Sequence, residues 1–157
     1  MIFVCYIWIT ALVTTSTNLC PIPCAAGTYN PNYRGTACFN VSAGYITSNS
    51  GRANQTACHV GTYQSESGKS ACLSCPLYNY CPNTNMTSFF SCPSGKFSIV
   101  IGKSACSLCA IGSFCADGNT SLCSTGNYTG LTGQSGCLLC GTGTCIFLYQ
   151  FFTRWHS

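Results

Sequence analysis

The sequence predicts a small disulfide-rich fold, an elongated array of short β-hairpin cysteine-rich repeats with little regular secondary structure. Three observations carry this expectation. Sixteen of the 157 residues are cysteine, the density of a disulfide scaffold. Four cysteine pairs, Cys24/Cys38, Cys58/Cys72, Cys92/Cys106 and Cys123/Cys137, are each 14 positions apart. Three of these pairs run directly into C-x-x-C, at Cys72/Cys75, Cys106/Cys109 and Cys137/Cys140. Self-similarity at a fixed period is the mark of a one-dimensional array.

Each full unit holds four cysteines, a to d. The first is Cys58, Cys72, Cys75 and Cys81, the second Cys92, Cys106, Cys109 and Cys115, and the third Cys123, Cys137, Cys140 and Cys145. Three positions after cysteine a stands a glycine (Gly27, Gly61, Gly95, Gly126), and five after it an aromatic (Tyr29, Tyr63, Phe97, Tyr128). The glycine can take positive φ and turn the chain beside a disulfide. The aromatic is expected to lie over that disulfide as the main apolar filling of the unit. A second glycine (Gly68, Gly102, Gly133) marks a hairpin turn, for example within residues 65–69. Small residues just before cysteine b, such as Ser70-Ala71 and Ser104-Ala105, let the return strand pass close. A bridge from a to b closes the hairpin, and its loop contributes roughly 3 kcal/mol on the chain-entropy view. In that case c pairs with d as Cys75–Cys81, Cys109–Cys115 and Cys140–Cys145. Four cysteines allow three connectivities, however, and the sequence does not choose among them. Bridges from c into the next unit are the main rival.

Both ends depart from the pattern. Residues 2–13 form an apolar run of twelve, the length of a signal-peptide core and too short to span a bilayer. Residues 1–17 are therefore expected to be a signal peptide, carrying Cys5 away with it. Residues 18–57 read as degenerate repeats: Cys24 and Cys38 form an a–b pair, but Val41 stands where cysteine c belongs. Val41-Ser42-Ala43-Gly44-Tyr45 still resembles the start of a unit that has lost its first cysteine. Repeats follow at 58–91, 92–122 and 123–145. Residues 146–157 are a short apolar tail, consistent with a truncated chain. With the leader removed fifteen cysteines remain, which leaves Cys20 over, free or available for an intermolecular disulfide. The alternative is that Cys58 serves the degenerate unit and the pairing shifts downstream.

Composition narrows the function. Dense disulfides persist only in oxidising compartments, so a secreted or extracellular surface location is expected. Five N-x-[ST] sequons, at Asn40, Asn54, Asn85, Asn119 and Asn127, agree with an exposed glycoprotein. Charged residues make up only 5% of the chain, and the six Lys/Arg are scattered, which argues against nucleic acid as a partner. The only acids are Glu66 and Asp117, and the histidines are His59 and His156, so no catalytic constellation is visible. The C-x-x-C pairs lie about 30 residues apart and belong to a larger disulfide register, which favours structural disulfides over zinc. No cofactor or metal site is expected, and the chain is read as no enzyme.

The pattern C-x-x-G-x-[YF]…G-x-[ST]-A-C-x-x-C, as in Cys58-His59-Val60-Gly61-Thr62-Tyr63 through Ser70-Ala71-Cys72-Leu73-Ser74-Cys75, resembles the ephrin-receptor-like cysteine-rich repeat. That repeat is similar in appearance to those of tumour-necrosis-factor receptors. The resemblance runs over Cys24–Cys145 and is most specific over Cys58–Cys140. It implies an elongated extracellular stack of small β modules, often a stalk or part of a larger surface protein. No kinase signature and no ephrin-binding domain is present, so neither activity carries over. The expected function is a structural, adhesive or protein-binding module with an unknown extracellular protein as partner. A small secreted effector or inhibitor is the alternative, and a thiol-rich metal binder the second. For an effector, the aromatic segment 76–90, with Leu77, Tyr78, Tyr80, Phe89 and Phe90, is the candidate contact loop. Its competing role is packing between neighbouring units.

Overall fold

The computed structural model describes residues 23–32 and 37–142. The expected signal peptide with Cys5, Cys20 with its expected intermolecular bridge, Cys145 and the apolar run 146–152 all lie outside the described residues.

Among the described residues there is no helix, and fourteen short strands pair as seven antiparallel hairpins. Hairpin 1 joins β1 (Thr28–Tyr29) to β2 (Phe39–Asn40), and hairpin 2 joins β3 (Tyr45–Ile46) to β4 (Thr56–Ala57). Hairpin 3 joins β5 (Thr62–Tyr63) to β6 (Leu73–Ser74), and hairpin 4 joins β7 (Asn79–Tyr80) to β8 (Phe90–Ser91). Hairpin 5 joins β9 (Lys96–Phe97) to β10 (Ser107–Leu108). Hairpin 6 is the longest, with β11 (Ser113–Ala116) and β12 (Asn119–Leu122). Hairpin 7 joins β13 (Asn127–Tyr128) to β14 (Leu138–Leu139).

First strands begin at 28, 45, 62, 79, 96 and 113, a period of 17. The structural repeat is thus half the cysteine period, and the four-cysteine units that begin at Cys58 and Cys92 each hold two hairpins. A bridge from Cys24 to Cys38, Cys58 to Cys72, Cys92 to Cys106 and Cys123 to Cys137 closes the odd hairpins. Bridges Cys75–Cys81 and Cys109–Cys115 tie the entries of hairpins 4 and 6. Cys58 therefore serves its own hairpin and not the degenerate stretch before it. Cys140 is disulfide-bonded as well. The step shortens once, from 113 to 127, because hairpin 6 turns tightly through Asp117 (φ 51°) and Gly118 (φ 76°). Two consecutive left-handed residues form the turn that matches strand twist with the fewest residues.

A hairpin with two paired residues per strand cannot stand alone. Backbone hydrogen bonds tie each one to the next. Gly27 N donates to Thr47 O, Gly44 N to Gln64 O, Gly61 N to Cys81 O, Tyr78 N to Ser98 O and Gly95 N to Cys115 O, all at 2.7–3.0 Å. In the same sense the turns reach back: Gly68 N donates to Val41 O, Asn85 N to Cys58 O, Gly102 N to Cys75 O and Gly133 N to Cys109 O, at 2.8–2.9 Å. The main chain of one hairpin is thereby satisfied by its neighbour, as buried peptide groups require.

The core is narrow and mostly sulfur. Cys58, Cys75, Cys81, Cys109 and Cys115 are fully buried, together with Val41. The aromatics expected to fill the units are only half-buried. Tyr29 meets Phe39 on a hairpin face at 6.3 Å, and Tyr80 of hairpin 4, outside that set, meets Phe90 in the same way at 5.9 Å. The buried half-cystines Cys24, Cys58, Cys75, Cys81, Cys92, Cys109 and Cys115 take the centre, and the first-strand aromatics are left to the faces.

Candidate functional site

Two features organise the surface: the column through the hairpin entries and the exposed apolar face of hairpin 4. In the column, positions equivalent by 17 residues share one environment. Val41 and Thr47 stand 34 residues before Cys75 and Cys81, and both are buried. They replace a bridge with a methyl-bearing pair, and Thr47 Oγ1 donates to Thr28 O at 3.1 Å. In hairpins 3, 5 and 7 the second position is polar and buried, yet satisfied. Gln64 Nε2 donates to Ala71 O at 2.8 Å, and Gln64 Oε1 accepts from Glu66 N at 3.1 Å. Ser98 Oγ donates to Val100 O at 3.1 Å. Thr129 Oγ1 donates to Ser113 O at 3.2 Å and accepts from Gly112 N at 2.7 Å. These residues escaped the sequence reading because they alternate Gln, Ser, Thr and Cys. Only the halved period shows them as one position.

A second column faces the turns. A Cβ at Gly27 would collide with the carbonyl oxygen of Gly68, at Gly44 with that of Asn85, at Gly61 with that of Gly102, and at Gly95 with that of Gly133. Each turn thus seats on the glycine two hairpins earlier. Hairpin 4 is the exception: Tyr78 occupies the glycine position at φ 67°. The turn two hairpins on is the tight one, and there Gly118 gives the room, since its Cβ position lies 2.7 Å from Tyr78 Cβ.

Beside this break lie the residues of segment 76–90. Leu77, Tyr78, Phe89 and Phe90 are all exposed. Phe89 packs edge-to-face on Tyr63 of hairpin 3 at 5.2 Å, so part of the cluster does bridge neighbouring hairpins. Tyr80 is half-buried against Phe90. Exposed apolar patches of this kind are a feature of surfaces that contact other macromolecules.

The polar chemistry is sparse. Glu66 pairs with Lys69 at 3.0 Å across one exposed turn, while Asp117 sits in the turn of hairpin 6. His59 is exposed, with Nδ1 3.1 Å from Thr62 Oγ1. Among the described residues, no group of three or more His, Cys, Asp or Glu is placed to hold a metal ion. Asn40, Asn54, Asn85 and Asn119 are exposed, and Asn127 is half-buried with Nδ2 donating to Ser124 Oγ at 3.0 Å. No described helix is long and apolar enough to cross a membrane.

Comparison with known proteins gives one family. Residues 44–92 match the profile described as tyrosine-protein kinase ephrin type A/B receptor-like. No curated protein matches the chain. The matched stretch begins at the left-handed Gly44 of hairpin 2, inside the part that looks degenerate by its cysteines, and runs through hairpins 3 and 4 to Cys92. The match over residues 44–92, together with the disulfide-stapled hairpins on either side of it, supports an ephrin-receptor-like cysteine-rich repeat.

Proposed function

We propose that the chain is a non-enzymatic, secreted or cell-surface module that acts as a structural spacer and presents a protein-binding face. One observation carries the reading. The buried positions hold half-cystines, one valine and self-satisfied polar side chains, whereas apolar side chains crowd the outside. Covalent staples replace a core, which suits an oxidising compartment. Removal of residues 1–17, glycans at Asn40, Asn54, Asn85, Asn119 and Asn127, and a division into repeats at 58, 92 and 123 are parts of the same proposal. So is an intermolecular bridge through Cys20.

The test is secretion from a eukaryotic host without reductant, followed by mass spectrometry of the intact chain. The proposal expects a mature N-terminus between residues 15 and 20, at most one free thiol and glycan mass on the sequons. An uncleaved N-terminus or many free thiols overturns it and favours the thiol-rich metal binder. A second reading, a small secreted effector, is supported by the break at Tyr78, the one hairpin whose column residue is exposed and aromatic. It expects a receptor contact that Leu77→Ser and Phe90→Ser weaken while the disulfide map is unchanged.

A further inference from the structure

We infer that the turn of hairpin 5 docks on an anionic membrane surface: Ile99, Val100 and Ile101 enter the interface between headgroups and acyl chains, and Lys96 and Lys103 hold the headgroup charge. The three tip residues are consecutive, aliphatic and 54%, 53% and 60% exposed, so more than half of each is open to a partner. Lys96 and Lys103 flank them and are exposed as well. Residues 92–109 contain no acid and no sequon, so hairpin 5 itself carries charge of one sign and none of the five proposed glycans. Glu66 of hairpin 3 is held by Lys69 at 3.0 Å, and neither Lys96 nor Lys103 has an ion-pair partner among the described residues.

The fold does not ask for these side chains. Hairpin 3 makes the same turn with Ser65-Glu66-Ser67. Gly68 (φ 74°) and Gly102 (φ 77°) end the two turns alike, with Gly68 N donating to Val41 O at 2.9 Å and Gly102 N to Cys75 O at 2.8 Å. The two carbonyls seat in the same way on Gly27 and Gly61, and the residue before the tip is buried in both, Gln64 and Ser98. Ile99, Val100 and Ile101 are thus surplus to the turn, and an exposed apolar cluster that folding does not need is a contact surface. Its composition selects the partner. Protein contacts concentrate in Trp, Tyr and Arg, and the tip has none of these. Aromatic residues lie instead on hairpin 4. A lipid interface takes apolar area and cationic charge without a matching shape. Ser98 Oγ donates to Val100 O at 3.1 Å, which satisfies that tip carbonyl without water, as a lipid environment requires. Lys96 stands three residues before Ile99, about 10 Å along an extended strand, which matches the roughly 5–10 Å to which interfacial groups enter. Leu131, 69% exposed, holds the middle of the corresponding turn of hairpin 7, whose Gly133 carbonyl seats on Gly95, and adds a second apolar point along this edge.

The experiment is flotation of the full secreted, disulfide-bonded chain with two kinds of vesicle, phosphatidylcholine alone and phosphatidylcholine with roughly 30% phosphatidylserine. Binding to the mixed vesicles is expected, and a fall of about tenfold or more when Ile99→Ser, Val100→Glu and Ile101→Ser install the tip of hairpin 3. That tip already builds the same turn, so non-reducing peptide mapping is expected to show an unchanged set of disulfides. Lys96→Gln with Lys103→Gln is an independent test on two exposed side chains, and is expected to reduce binding to the level on phosphatidylcholine alone. Leu77→Ser with Phe90→Ser leaves vesicle binding unchanged, which separates the tip from the face of hairpin 4. No binding, equal binding to the two kinds of vesicle, binding retained after the tip exchange, or an equal loss from the hairpin 4 variants overturns the inference. So does self-association without vesicles that the tip exchange reverses, since the occupant is then a second copy of the chain.

Discussion

Gly61 and Tyr78 occupy the same place in consecutive hairpins, and the contrast between them shows what the glycines do. At Gly61 both backbone conformation and the Gly102 carbonyl forbid a side chain. Gly61→Ala is expected to cost about 3 kcal/mol, combining left-handed strain of 1–2 kcal/mol with displacement of a backbone carbonyl. Urea unfolding with disulfides intact, read by near-ultraviolet circular dichroism, checks the figure. Tyr78→Gly relieves the strain alone and is expected to change stability by less than about 1 kcal/mol, since glycine costs unfolded-state entropy in return. The glycine positions were legible in the sequence because they recur at a fixed offset from cysteine a. Tyr78 was not, because a period set by cysteines counts it as a loop residue. Val41 and Thr47 are a second case. The sequence shows Val41 in place of a cysteine but hides Thr47, whose counterpart only the 34-residue shift to Cys81 identifies. Val41→Cys with Thr47→Cys is expected to form a further bridge and to stabilise hairpin 2 by about 2 kcal/mol, as a short closed loop does. Non-reducing peptide mapping would show the new link, and two free thiols in its place would refute the equivalence.

At the scale of the hairpin, the two kinds of bridge differ in access. Both sulfur-bearing residues of Cys75–Cys81 and Cys109–Cys115 are fully buried. In the longer loops at least one partner is partly open, both are in Cys123–Cys137, and Cys38 is exposed. Thiol–disulfide exchange needs the attacking thiolate to reach a sulfur along the bond, so access orders the rates. Partial reduction by a phosphine, trapped by alkylation, is expected to open Cys24–Cys38 first and the two buried bridges last. Opening of Cys75–Cys81 before Cys24–Cys38 would contradict that order. The pairing itself lay beyond sequence reading, since a C-x-x-C tells nothing of which neighbour each sulfur faces. The structure resolves it because c begins a new hairpin: Cys72 ends the turn-side loop of hairpin 3, while Cys75 enters hairpin 4. Spacing alone made b and c look like one motif, when they belong to different layers.

Across the whole molecule, order is transmitted by contacts of fixed reach. Backbone hydrogen bonds join each hairpin to the next, and the turn-on-glycine contacts reach one hairpin further. No longer contact is needed to build the array, so stability is a sum of local terms with nearest-neighbour coupling. Damage should therefore decay over two layers. Replacing both Cys58 and Cys72 by serine removes the hairpin 3 bridge without leaving a thiol to reshuffle. Amide exchange is expected to rise most over residues 58–74, less in hairpins 1, 2, 4 and 5, and hardly at all in hairpins 6 and 7. The links Cys109–Cys115 and Cys123–Cys137 stay as they are. Exchange that rises equally to the far end would mean that the hairpins fold as one cooperative core. In that case the narrow column of half-cystines, rather than the ladder between neighbours, would hold the molecule together.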